Sequence, residues 1–192
     1  PASPVFPGDQ VTWFDDEATK ELHRRTIDSI VFRDHNANVM INIARARLSM
    51  PHARDRFKEW FQSRERANGL FEWTGHMHGV YMPEMIGISS FVNELLLQSV
   101  KNKIRLFPCW PEDLNAEFTR LRAQGGFIVS AKFKNGRVAS ATIESVANKE
   151  LQLLSPWKTI YVNGNQLEID ASGLVRINTQ KGQVFEFAET AN

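Results

Sequence analysis

Apolar residues recur at helical spacing in the first part of the chain and alternate with polar residues in the second. The helical pattern occupies four segments, at about residues 16–32, 38–48, 53–67 and 83–99. From Lys103 onward the period changes to two, which is typical of strands that bury one face. The sequence therefore predicts an α+β protein, with a helical part over residues 1–102 and a β-rich part over residues 103–192.

The four helical segments differ in how much of their surface is apolar. The first, which Asp15 and Asp16 are predicted to cap, and the third carry charges around an apolar stripe, so we expect them to face outward. The second and fourth are apolar over most of their circumference and are expected to be buried, with Gly87, Ser89 and Ser90 allowing close helix approach. This alternation is typical of the outer and inner helices of an (α/α)6 barrel, and a plain four-helix bundle fits it equally well.

Three turn signals divide the β-rich part. Asn135-Gly136 separates two strands as a type I′ hairpin turn, and the return strand should place Ala139, Ala141 and Ile143 on one side. Asn163-Gly164 and the stretch 180–182 separate further apolar runs. We expect a run of antiparallel hairpins that form a small β-sandwich, with its phenylalanines facing inward.

Composition narrows the functional classes. With 42% hydrophobic and 23% charged residues the chain can bury a core, and a net charge of +1 gives no reason to expect a nucleic-acid partner. The single Cys109 excludes an internal disulfide, and no apolar run is long enough for a membrane span. The start at Pro1 does not resemble a signal peptide, and because it lacks an initiator Met we expect a mature, trimmed or excised segment.

Glu84 is the first candidate catalytic residue. It stands at the opening of an almost uncharged helix, where the helix dipole stabilises a carboxylate. Glycoside hydrolysis uses two carboxylates across the scissile bond, and Glu72 is the nearest candidate partner in sequence. The alternative is that Glu84 only occupies a favoured first-turn position.

The loop before that helix offers candidate substrate-binding residues. Glu72, Trp73, His76 and His78 lie in a stretch bounded by glycines, and an indole can stack on a sugar ring. His76 and His78 could form a metal pair, but no third ligand stands at readable spacing, so we expect no metal and no cofactor. Sugar hydrogen bonding or plain loop packing is favoured.

The arginines between residues 45 and 66 raise the question of a basic patch. Acidic residues interleave them at helical spacing, which predicts a solvated, ion-paired face. We therefore assign them no binding role.

Five stretches occur in the order and spacing of one known family, namely 93–99, 104–111, 121–127, 135–138 and 143–145. Together they resemble the C-terminal part of glycoside hydrolase family 95, the α-L-fucosidase-type enzymes, and its relatives. The resemblance implies the last helices of an (α/α)6 barrel followed by a small C-terminal β-domain. The family's activating aspartate aligns with Pro83, one residue before Glu84, and only the last glycine of its motif is kept, as Gly87.

These observations lead to two hypotheses of different class. In the first, the chain is the C-terminal fragment of a glycosidase that acts on oligo- or polysaccharides, inactive without the remainder of the barrel and prone to self-association. In the second, it is a non-catalytic carbohydrate-binding or structural domain. The resemblance implies a periplasmic or secreted location.

Overall fold

The structure, a computed structural model, describes residues 2–30, 37–65, 67 and 82–191. The chain divides into two compact units, Pro1–Leu95 and Leu96–Asn192. The boundary lies before Asn102 because Lys101 and Asn102, both with positive φ, form the turn of a hairpin whose two strands belong to the second unit.

The first unit is helical. Its helices are α1 (Glu17–Asp28), α2 (Ala37–Arg47), α3 (Ala53–Arg64) and α4, which runs over Met82–Leu96. Asp16 caps α1 as predicted, because its Oδ1 accepts a 2.9 Å hydrogen bond from the Thr19 N–H. The helix ends at Asp28, with Ser29 as its C-cap, so the expected extension to Phe32 was wrong.

α2 is the buried helix of this unit, as predicted. Ile43, Ala44 and Ala46 are at most 1% exposed. Ala44 belongs to the same cluster of buried residues as Ile27 of α1 and Val5 of the N-terminal segment. Two arginines depart from the prediction. Arg45 and Arg47 are buried instead of forming a solvated face, with side chains only 10% and 12% exposed. They lie on different sides of α2: Arg45 is covered by residues of α1 and α3, and Arg47 by Glu94 of α4 and by the N-terminal segment.

One side of α4 packs against α2 and α3. The Phe91 ring stacks on Phe57 of α3 with centroids 3.9 Å apart, and a Cβ at Gly87 would lie 3.1 Å from Val39 Cγ1 of α2. The small residue therefore allows the predicted close approach. The other side is open, with Ile86 67% and Val92 40% exposed. The described elements cover only one side of α4, so its predicted burial is confirmed for that side and not for the other.

The second unit contains two β-sheets. Its strands are β1 (Leu97–Val100), β2 (Lys103–Leu106), β3 (Ala116–Ala123), β4 (Phe127–Lys134), β5 (Arg137–Ser145), β6 (Glu150–Leu154), β7 (Ile160–Val162), β8 (Asn165–Leu167), β9 (Leu174–Asn178) and β10 (Val184–Ala188). One sheet has the order β1-β2-β6-β9 and the other β3-β4-β5-β10-β7-β8. All the pairs are antiparallel except β2 with β6.

The two sheets enclose one core. Ile104, Leu151 and Leu153 from the first sheet are fully buried in the same cluster as Phe127 and Ile143 from the second. This arrangement is a β-sandwich, as predicted. The phenylalanines of the tail face inward, with at most 9% exposure for any of Phe127, Phe133, Phe185 and Phe187.

Two details of the strands differ from the prediction. Lys132 pairs with Ser140 and Phe133 with Val138, so Ala139 is the extra residue of a β-bulge. The bulge turns Val138 into the core and leaves Ala139 exposed, opposite to the expected side.

The turn at residues 180–182 was also predicted wrongly. It does not close a hairpin, because β9 pairs with β6 in one sheet while β10 pairs with β5 and β7 in the other. Alternation along the sequence marks each strand but not the sheet that the strand joins.

Candidate functional site

The start of α4 carries the predicted catalytic carboxylate. The helix begins at Met82, so the backbone of Glu84 stands in its first turn, where the helix dipole favours an anion. The side chain of Glu84 lies outside the described residues, as do Glu72, Trp73, His76 and His78. The roles assigned to these five residues stay predictions.

The second acid of α4 has a structural partner. Glu94 Oε1 accepts hydrogen bonds from Arg47 Nη2 at 2.8 Å and Nε at 3.2 Å, and Arg47 Nη1 also pairs with Asp9. Burial would lower the pKa of Arg47, but the contacts with Glu94 and Asp9 outweigh it and raise the pKa. Glu94 therefore ties α4 to α2, and it is not the second carboxylate of a catalytic pair.

A polar cleft opens in the first unit where the end of α1 faces α2 and α3. It has a volume of about 500 Å³ and we call it the Arg45 cleft. Asn42 and Arg45 of α2 line it together with Arg56 and Trp60 of α3. Arg45 is 8% exposed, and its Nη1 donates a 3.0 Å hydrogen bond to Asn42 Oδ1.

The surroundings of the Arg45 guanidinium disfavour its charge more than they stabilise it. Burial lowers the pKa of Arg45, the neighbouring Arg56 lowers it further, and Asp28 partly opposes both effects. Asp28 Oδ1 lies 3.9 Å from Arg45 Nε, which is beyond hydrogen-bond distance. The sequence signal that could have found this site is an arginine on the inner side of an otherwise apolar helix.

A second concave surface lies on the outer face of the six-stranded sheet. This sheet-face groove, of about 590 Å³, is lined by β5, β7 and β10. Glu186 stands opposite Thr142 in the ladder, its N–H donates a 2.8 Å hydrogen bond to Asn163 Oδ1, and half-buried Tyr161 lies opposite Ala188. A polar groove with an aromatic side chain can hold a sugar. The phenylalanines of this unit face inward, so its described residues form no row of exposed aromatic rings.

Within residues 2–30, 37–65, 67 and 82–191, no three His, Cys, Asp or Glu side chains are grouped so as to hold a metal ion. None of the described helices is long and apolar enough to cross a membrane.

Comparison with models of protein families gives a match for the second unit. Residues 98–187, nearly the whole second unit, match the family described as glycoside hydrolase family 95, C-terminal domain. A search of curated proteins gave no match. The match confirms the resemblance to this family for the β-sandwich.

Proposed function

Because residues 98–187 form a C-terminal domain of the glycoside hydrolase family 95 type, we propose that the chain is the C-terminal portion of a glycosidase acting on oligo- or polysaccharides. The domain match is the observation that carries the proposal. In this proposal the helices of the first unit are the last helices of the (α/α)6 barrel. An α-L-fucoside is the first substrate to test, because of the family resemblance.

The helices support the barrel assignment in two ways. α2 is buried like an inner helix, and α4 presents an open side with Ile86 and Val92 exposed. An apolar, small-residue helix surface is expected to be covered in the mature protein, and neighbouring barrel helices would cover it.

Glu84 is the proposed carboxylate of the active-site cavity. Its place in the first turn of α4 favours the ionised form, which suits a base that activates water. Glycoside hydrolysis needs a second carboxyl group as the acid, and the other acid of α4, Glu94, is held by Arg47. The acid must then come from the remainder of the barrel, so this chain alone should not turn over substrate.

The test is turnover by the complete gene product that contains this chain. On an aryl α-L-fucoside and a panel of other aryl glycosides, Glu84→Gln should lower kcat by about 100-fold or more, the range of general acid–base catalysis. Glu17→Gln is the matched control, since Glu17 also stands in the first turn of a helix and is 68% exposed. It should leave kcat unchanged.

Two results would overturn the proposal. Turnover of Glu84→Gln within twofold of the unmutated enzyme would remove the role of Glu84. Full turnover by the isolated chain of 192 residues would show that no further barrel segment supplies the acid.

Saccharide binding by the second unit is the second candidate function, favoured by the sheet-face groove. Titration of the chain with neutral oligosaccharides should then give saturable binding that Tyr161→Ala abolishes. Absence of saturation would leave the β-sandwich a structural domain.

A further inference from the structure

We propose that the Arg45 cleft binds the carboxylate of an acidic sugar, so that the saccharide recognised by this protein contains a uronic-acid unit. The proposal rests on the proposed function only in taking a saccharide as the ligand. The site itself is argued from the residues of α1, α2 and α3 that line the cleft.

Arg45 has an unsatisfied hydrogen-bond donor. Its Nε is buried and, among the described residues, has no hydrogen-bond partner. A buried donor without an acceptor costs free energy, and it is more costly on a charged group. Structures tolerate such a group where a ligand completes its hydrogen bonds.

The shape of the Arg45 guanidinium indicates which acceptor is missing. A guanidinium presents its donors in a planar fork that matches the two oxygens of a carboxylate. Asn42 accepts a hydrogen bond from Nη1 of this fork, whereas the Nε–H has no acceptor among the described residues. With Arg56 as a second cation on the same cleft, an oxyanion is the ligand group that this edge would attract.

The other residues that line the Arg45 cleft can bind the hydroxyl groups of a sugar. Trp60 offers an aromatic surface, Asn42 an amide, and Asp28 and Glu59 carboxylates that can accept hydrogen bonds from hydroxyl groups. A simple inorganic anion would find only repulsion from those acids. A sugar acid matches both sets of groups, because its carboxylate faces the arginines while its hydroxyls face the acids.

The volume is compatible with this ligand. A cleft of about 500 Å³ lies within the usual range for small-molecule sites. The cleft is therefore large enough for one sugar ring.

The experiment is a titration followed by NMR on the chain labelled with ¹⁵N-tryptophan, at constant ionic strength. The probes are sodium glucuronate, glucose and sodium sulfate. Glucuronate should shift the indole resonance of Trp60 saturably and leave that of Trp157, in the β-sandwich core, unchanged. Glucose should give no saturable shift over the same concentrations, and sulfate should bind more weakly than glucuronate.

Two variants and a control test the residues. Arg45→Gln should weaken glucuronate binding by roughly tenfold or more, the loss expected for a charge-assisted hydrogen bond. Arg56→Gln alters an exposed side chain, keeps the fold, and should weaken binding by up to about fivefold. Arg25→Gln, on the open side of α1 with 73% exposure, should have no effect.

The proposal fails if glucuronate gives no saturable shift, or if Arg45→Gln and Arg56→Gln both bind it like the unmutated chain. Equal binding of sulfate and glucuronate would also overturn it, as a site for ions in general. Failure here is separate from failure of the proposed function, since the turnover assay of Glu84→Gln uses neutral glycosides and does not involve this cleft.

Discussion

Arg47 Nη2 donates a 2.8 Å hydrogen bond to Glu94 Oε1, which joins the last residue of α2 to the C-terminal half of α4. Both side chains are largely buried, with 12% and 16% exposure. A buried ion pair is weak evidence for stability in itself, but removing one partner leaves a buried charge uncompensated. The pair therefore fixes the position of α4 relative to α2.

Glu94→Ala should destabilise the first unit by about 3 kcal/mol, the lower end of the range for breaking a buried pair, because Arg47 keeps Asp9. Urea denaturation measures the free energy of unfolding. Glu21→Ala is the control, since Glu21 is 51% exposed and its ion pairs on α1 are longer than 3.5 Å, so it should cost less than about 1 kcal/mol. Equal losses from the two variants would contradict the structural role of Glu94.

Two glycines of the second unit should differ in their tolerance of a side chain. Both have positive φ, +83° at Gly126 and +91° at Gly182, so alanine pays about 1–2 kcal/mol of backbone strain at either position. A Cβ at Gly126 would lie 2.8 Å from Ala147 Cβ, whereas nothing lies within 4 Å at Gly182. Gly126→Ala should therefore cost about 1–3 kcal/mol more in unfolding free energy. The same loss at both positions would show that the contact with Ala147 relaxes freely.

Asp170 should make stability depend on pH at the acidic end. Hydrogen bonds from the Ser172 hydroxyl and the Leu174 N–H, with a further one from Arg176, hold the pKa of its carboxyl well below the usual range. A depressed folded-state pKa adds stability above the unfolded value of about 3.9, and this stability is lost as pH falls toward the folded value.

The difference in unfolding midpoint between the unmutated chain and Asp170→Ala should therefore be constant from pH 7 to about pH 4 and shrink below it. Denaturation curves at several pH values between 7 and 2.5 measure it. Glu168→Ala is the neighbouring control. A difference that stays constant below pH 3 would contradict the role of the charge.

The open side of α4 should cause the isolated chain to self-associate. Ile86 and Val92 are exposed there, and burying such side chains in a second copy is favourable. Light scattering should give a mass above 21.9 kDa, and Ile86→Lys with Val92→Lys should lower it toward the monomer. Leu22→Lys changes a residue of α1 that is 56% exposed and should leave the mass unchanged. A monomeric unmutated chain would contradict the prediction.

Local signals in the sequence predicted local structure well. Asp16 caps α1, and Asn135-Gly136 forms a turn with positive φ at both residues. These features depend on neighbouring residues alone, so a short window of sequence contains their cause. The sequence also predicted two sheets around a core of inward phenylalanines, because alternation defines the buried face of a strand.

Features that depend on distant residues were not predicted. The side of Ala139 depends on a bulge opposite β4, and the partner of β9 depends on β6. At the candidate sites, the burial of Arg45 depends on how α1 and α3 lie against α2, and the partner of Glu94 stands 47 positions away. A single sequence contains the residues of these contacts but not their distances.

The place of β10 determines when the second unit can fold during synthesis. This strand lies between β5 and β7, so it is the element that joins the β3-β4-β5 meander to the β7-β8 hairpin. On the ribosome, a nascent chain that has not yet released Val184–Ala188 from the exit tunnel has two separate pieces of that sheet, each with an unpaired edge. The six-stranded sheet therefore closes late, because all its other strands precede β10 in the chain.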